Sequence, residues 1–432
     1  MSGSDTRALV EGYLGRPVQD ALEAAVVLEA WGGVPADAAL TLGREAATGA
    51  PTVDQVPDDP VSRSVFDRRA VASDVAFIVG VLFVGFWLSH RTDRFAVNDI
   101  DRAWRLALPT SLAAQWFLRR RVFLGGEGLG RLRREFRLLI PAGLVVFALA
   151  VVPDGGVLAV ALAVLWIAGF VVSRRGWGLA YGVTLICVLA VGGSARTAVP
   201  VLAFVCLATV TLAVVALRTT PPSDRLPGAL ARAIPSALIG GGLALFLVSE
   251  PRFSWAASGL LSAFTVVPSL LGSLAGGLWM TRLWNVLPPA LRGISVGPRR
   301  RFTGSSSVGL FVQAVAIVLA VASTCSLFVL WRSSDDSVTT ETTQVLLIAH
   351  AALAVAGLCV ALLETLGRWG HALFATTAGV AAAFFAVRSG LMNPHPQAGV
   401  RILLGALVAL AVALPGVLAV LGRPDHRIAA FT

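Results

Sequence analysis

Twelve apolar stretches separated by short polar loops constrain this chain more than any other feature. They cover residues 71–89, 106–118, 138–152, 157–172, 177–193 and 198–217, then 233–248, 256–281, 308–331, 344–366, 369–386 and 402–421. Most approach the ~20 residues a helix needs to cross a bilayer. The expected fold class is therefore an all-α polytopic membrane protein with about 12 transmembrane helices. Composition agrees: 56% of residues are hydrophobic and 14% charged, whereas a soluble domain needs about a quarter charged residues to cover its surface. The second stretch is the weakest, because Pro109 interrupts it and a surface helix is an alternative to a full span.

The charges decide that question. All 35 basic residues are arginine. If all twelve stretches span and the amino terminus is inside, 26 arginines lie on the inner side and 9 on the outer, the bias that sets membrane orientation. Demoting the second stretch would put Arg174 and Arg175 outside, together with Arg299, Arg300 and Arg301. The expected location is therefore the cell membrane, with both termini cytoplasmic. Residues 1–70 carry a net −5 and the later cytoplasmic loops +15. The basic excess thus borders helix ends at anionic lipid headgroups, which argues against nucleic acid as a partner. The first seventy residues are polar and acidic, unlike a secretory signal. Cys187, Cys206, Cys325 and Cys359 sit singly in apolar stretches and read as packing residues.

An internal duplication organises the stretches. The second ends in Trp116-Phe117-Leu118-Arg119 and the eighth in Trp279-Met280-Thr281-Arg282, each after a Pro and a Ser-Leu pair. The first and seventh share Phe-x-x-Ser (Phe86 and Ser89; Phe246 and Ser249), and the fifth and eleventh share Trp-Gly-x-Ala at Trp177 and Trp369. Each match relates stretch n to stretch n plus six, so a 6+6 parallel pseudo-repeat about an axis along the membrane normal is expected. The division is then a small cytoplasmic helical region (1–50), a linker (51–70), a first six-helix bundle (71–217), a cytoplasmic connection (218–232), a second bundle (233–422) and a tail (423–432). The first region reads as three short helices that pack on the membrane domain or on a partner.

The loop Gly125-Gly126-Glu127-Gly128-Leu129-Gly130-Arg131 has the glycine and arginine texture of the loop after helix two in the major facilitator transporters. The six-plus-six architecture resembles that family. It is equally similar to flippases and exporters of lipid-linked sugars or multidrug cations. The acidic residue expected in the facilitator loop is missing, and the connection 218–232 is short for that family, which favours the flippase-like arrangement. These likenesses imply fold, not function.

Ionisable groups within the apolar stretches are the candidates for function: Asp74, His350, Glu364, His371 and Arg388. The spacing of Glu364 and Arg368 predicts an ordinary i,i+4 pair. His350 lies deepest, among Leu, Ile and Ala, and reads either as hydrogen-bonded packing or as a group that titrates in the physiological range. Gln115, Gln313 and the run Ser323 to Ser326 are candidates for lining a cavity, and Gly240, Gly241 and Gly242 for bending or close packing. Arg119, Arg120, Arg121 and Arg282 form a basic mouth suited to an anionic headgroup.

The chain has no lysine, which excludes a Gly-x-x-x-x-Gly-Lys phosphate loop. Neither a cofactor nor a metal site is expected. The leading reading is an exporter or flippase of a lipid-linked glycan or other anionic amphiphile, working by alternating access, with membrane lipids and the substrate as partners. One enzymatic alternative is a glycosyltransferase using polyprenyl-phosphate sugars, with Asp99 or Asp101 of the first outer loop as the catalytic carboxylate. The other alternative is a non-transporting membrane scaffold.

Overall fold

A computed structural model describes residues 3–47 apart from 15–17, 19–20 and 33, and then 68–89, 97–123, 156–191, 197–218, 229–248, 268–269, 296–332, 337–365, 367–388 and 398–422. The described chain is all-helical, without strands. Three short helices come first: α1 (Gly3–Leu14), α2 (Ala21–Gly32) and α3 (Ala36–Ala47). They enclose a small core of their own, built on Val10, Val27, Leu28, Ala39 and Ala46. Gly43 lets α3 lie flush on the backbone of α2 near Ala21 and Ala25. Arg7 pairs with Glu11 at 2.9 Å, one helical turn on, and the Glu11 carboxylate also accepts from the Val18 amide. The Arg7 hydrogen bond holds the Glu11 carboxyl below the usual range, so the pair contributes at neutral pH and is lost as pH falls through the carboxylate range.

Ten helices follow, matching ten of the twelve expected stretches: α4 (Arg68–Ser89), α5 (Val97–Phe123), α6 (Gly156–Val172), α7 (Gly178–Val191), α8 (Ala198–Arg218), α9 (Ala229–Val248), α10 (Val296–Arg332), α11 (Ser337–Thr365), α12 (Trp369–Arg388) and α13 (Ala398–Gly422). The third stretch, and the eighth apart from Pro268 and Ser269, lie outside the described residues. Four segments are long and apolar enough to cross a membrane on their own: Ala198–Arg218, Phe311–Trp331, Thr343–Thr365 and Gly399–Val420. Several spans of this kind make the protein a multi-pass membrane protein. The doubtful second stretch is continuous across Pro109 as the 27-residue α5, about 40 Å long at the usual rise. It is long enough to cross but is not among the helices that are also apolar enough.

One junction differs from expectation. α6 and α7 are joined through a π-helical turn, Ser173–Trp177, and are bent by 77°. Gly176 at φ 87° makes the turn, a conformation other residues rarely tolerate. Arg174 and Arg175 occupy the bend, and a charged pair is costly within hydrocarbon, so the bend belongs at a headgroup surface. The Gly178 amide donates to Ser73 Oγ at 2.9 Å, tying the bend to the first turns of α4.

Helices in lipid associate by close van der Waals packing, which favours small residues where they cross. α4 and α7 meet through Ser73, Ala76 and Gly80 against Gly178 and Gly182. α12 and α13 meet through Gly379 and Gly405, which also make room for the buried Phe246 ring. His371 lies flush against Gly416, where its Nε2 meets the Val412 carbonyl at 2.7 Å beside Pro415. Nε2 therefore carries a proton.

The duplication is visible in the packing. α4 packs on α7 as α9 packs on α12; α6 packs on α8 as α11 packs on α13; α7 meets α8 as α12 meets α13. In each case the second pair is the first advanced by six stretches. The same holds for hydrogen bonds: Gln115 of the second stretch donates to the Trp166 carbonyl of the fourth, and Ser269 of the eighth donates to the His350 carbonyl of the tenth. Two separate cores result. One contains Trp87, Trp104, Trp166 and Leu185, and the other Ile239, Phe246, Leu353 and Ala409.

Candidate functional site at the seam between the halves

Among the described residues the two halves meet chiefly where α5 lies along α9. The glycine run of α9 makes this contact possible. A Cβ on Gly240 would fall 2.6 Å from the Trp116 ring and 2.7 Å from the Leu112 carbonyl oxygen, so Trp116 fits into a notch in α9. Gly241 faces Ala113, and Gly242 faces Thr376 of α12. Of the two readings of this run, close packing is the one adopted: α9 is unbroken from Ala229 to Val248.

One turn beyond Trp116 the seam becomes ionic. Arg119 and Arg120 at the end of α5 reach the carboxylate of Glu364 at the end of α11, at 2.8 and 3.6 Å. Ser236, in the second turn of α9, donates to Glu364 Oε1 at 2.5 Å, the oxygen that Arg120 also approaches, while Arg119 takes Oε2. Glu364 is 2% exposed, so it is held by two guanidinium groups from one half and a hydroxyl from its own. Arg119 also lies over the Trp116 ring, 4.1 Å from the centroid. Trp-x-x-Arg spacing puts both side chains on one helix face, and a guanidinium above an indole is attracted by the ring's electron density.

The expected Glu364–Arg368 pair gives way to this cluster. α11 ends at Thr365 and Gly367 turns the chain at φ 78°, so the helical register that would bring i and i+4 together stops before Arg368. Glu364 faces the other half instead.

The remaining candidates scatter. Gln115 is spent inside the first half, on the Trp166 carbonyl at 3.4 Å. Gln313 is exposed on α10, away from the seam. Ser323 and Thr324 are exposed and bonded to carbonyls of their own helix, while Ser326 pairs with Gln344 across to α11. Asp99 sits in the first turn of α5, where a carboxylate complements the helix dipole, and Asp101 follows on the same helix; the outer loop expected to present them has become helix. Arg121, Asp74 and Arg388 lie on helices α5, α4 and α12, and Arg282 lies outside the described residues.

His350 is fully buried. Its Nδ1 is 2.9 Å from Ser269 Oγ, which also lies 3.1 Å from the His350 carbonyl. Both contacts are satisfied together when Nδ1–H donates to Oγ and the hydroxyl donates to the carbonyl. Nε2 then remains a buried acceptor with no hydrogen-bond partner among the described residues. No group of three or more potential metal ligands occurs among the described residues. The four cysteines are free thiols.

No family model matches the chain, and no curated protein matches its sequence. Several solved chains are similar to it, among them the following two. One is the outward-facing conformation of a multidrug resistance MATE family transporter of the MOP superfamily, at a TM-score of 0.49 and 13% identity. The other is a crystal structure of MATE in complex with MaL6, at a TM-score of 0.46 and 11% identity. In both cases 85% of this chain aligns with 97% of the other. Likenesses at this level carry no argument about this chain, whose fold and chemistry rest on its own residues.

Proposed function

We propose that the protein is a membrane transporter that works by alternating access, and that its cargo is an anionic amphiphile such as a lipid-linked glycan, exported or flipped across the cell membrane. The observation that carries this reading is the Arg119–Arg120–Glu364–Ser236 cluster, which fastens two separately cored halves at one end of their seam. An ion pair between bundles can be made and broken as they rock, whereas a purely structural pair would more simply sit within one core. The cost of desolvating charges makes such a pair a poor source of net stability. A switch is the better-attested use. The arginine-rich side of the membrane is taken as cytoplasmic, which puts this cluster at the inner mouth with both termini inside.

The test compares polyprenyl-linked glycans by leaflet in deletion and wild-type cells. Accumulation of a completed lipid-linked glycan on the cytoplasmic side is expected on deletion, and Arg119→Gln with Arg120→Gln should reproduce it with a larger loss of export than of folded protein in the membrane, the buried Glu364 carboxylate accounting for the latter. Equal losses of export and of folded protein would contradict the reading. Accumulation of a glycan lacking its terminal sugar would point instead to the glycosyltransferase alternative.

A further inference from the structure

We infer that Glu364 is a built-in competitor for the cargo's anionic group: Arg119 and Arg120 form a two-guanidinium anion site that the Glu364 carboxylate fills in this state and a phosphate or pyrophosphate fills when the seam opens. The inference rests on the transporter reading and deepens it by giving the cargo a binding site and the seam a trigger.

Three observations carry it. The carboxylate is buried and takes a contact from each arginine, at 2.8 and 3.6 Å, the kind of two-point recognition that guanidinium groups give to phosphate as readily as to carboxylate. The arginines belong to one half and the carboxylate to the other, so parting the halves necessarily separates them. Arg119 is braced on Trp116 at 4.1 Å, within α5 itself, so its guanidinium stays placed when Glu364 leaves.

Energetics then favour exchange over simple opening. Withdrawing Glu364 alone would take its negative charge from two arginines that are 15% and 19% exposed at their side chains. A multiply charged phosphate group restores that balance and makes the open arrangement accessible. Meanwhile Ser236 moves with Glu364, because α9 and α11 belong to the same half, and goes on donating to the released carboxylate. The cargo headgroup thus loosens the seam by taking the place of the residue that closes it.

The experiment measures binding of radiolabelled inorganic pyrophosphate to the full chain in detergent. Glu364→Gln keeps the shape and the Ser236 contact while removing the competing charge, and is expected to tighten binding by about tenfold or more. Adding Arg119→Gln and Arg120→Gln should abolish the gain. Glu364→Asp keeps the charge but withdraws it by one methylene, and gives an intermediate tightening that can be read if the Gln variant folds poorly. A second arm presents polyprenyl pyrophosphate in phosphatidylcholine vesicles. Tightening with inorganic pyrophosphate supports a site for the free anion, and tightening with the vesicles alone supports a headgroup presented from the lipid. No tightening in either arm, or tightening that survives the loss of both arginines, overturns the inference. If binding behaves as expected while the arginine variants export glycans normally, the anion site stands and the transporter reading falls.

Discussion

Glu364→Ala is expected to be the most damaging single substitution at the seam. It takes the Glu364 carboxylate from Arg119 and Arg120, both largely buried, and removing one partner from a buried pair costs about 3–5 kcal/mol. The lower end applies here, because Arg120 sits at a helix end and can swing its head toward water and lipid headgroups, while Arg119 stays on the Trp116 ring. Transport is expected to fall by about tenfold or more, since the end that Glu364 closes no longer closes. The distinguishing measurement is a double-mutant cycle in thermal melting. Glu364→Ala combined with Arg119→Ala should be less destabilised than the sum of the two single changes, because Arg119 no longer carries a charge that Glu364 balanced, although Arg120 still does. Strict additivity would show that the two side chains do not act on each other.

Gly240→Leu is the second large effect, and it acts by shape. The new side chain must displace either the Trp116 ring, 2.6 Å from where its Cβ would stand, or the Leu112 carbonyl at 2.7 Å. The carbonyl is backbone and cannot turn aside, so α5 and α9 have to separate. Overpacking of this kind costs about 1–3 kcal/mol, and the rigid wall puts this position at the upper end. Transport should fall with it, since the ionic cluster lies just beyond Trp116 on the same helix. Gly241→Ala is the control: its Cβ would stand 3.4 Å from the Ala113 methyl, an ordinary contact, and near-wild-type melting is expected. Trp116→Ala should partly rescue Gly240→Leu by vacating the notch. If Gly240→Leu melts like wild type, or if Trp116→Ala only worsens it, the notch is not what joins the halves.

Much of the fold could be read from the chain because apolar length and arginine placement are one-dimensional signals. The stretches at 198–217 and 402–421 became α8 and α13 nearly residue for residue. The duplication too was legible, since Trp-Gly-x-Ala recurs where α7 and α12 begin; the repeat of Trp-x-x-Arg at Trp279 lies outside the described residues. The site was legible only in part. Trp116 and Arg119 share a helix face by spacing alone, and the glycine run of α9 announced close packing without naming the partner. Glu364 was misjudged because its neighbour in sequence, Arg368, offered a pair at helical spacing, although the stretch ends at 366 and Gly367 is a local stop signal that breaks that spacing. Its true partner lies 245 residues away, a relation set by the docking of the two halves. Ser236 carried no signal at all: a serine in the second turn of an apolar helix looks like any small packing residue until α11 is laid beside it. Asp99 and Asp101 were read as loop residues, whereas Asp99 stands in the first turn of α5 and Asp101 follows on the same helix, because the helix dipole rewards a carboxylate in a first turn as readily as chemistry rewards one in a loop.

Whether the halves part at the Arg119–Glu364 end during transport is read most directly from the reactivity of Ser236→Cys toward a membrane-impermeant thiol reagent, in a chain whose four native cysteines are replaced. Ser236 is 2% exposed. Labelling is expected to be slow at rest, faster in the Glu364→Gln background, and faster again when polyprenyl pyrophosphate is supplied in vesicles. Labelling that stays equally slow under all three conditions while transport continues would mean that the seam remains shut and that cargo passes by another route.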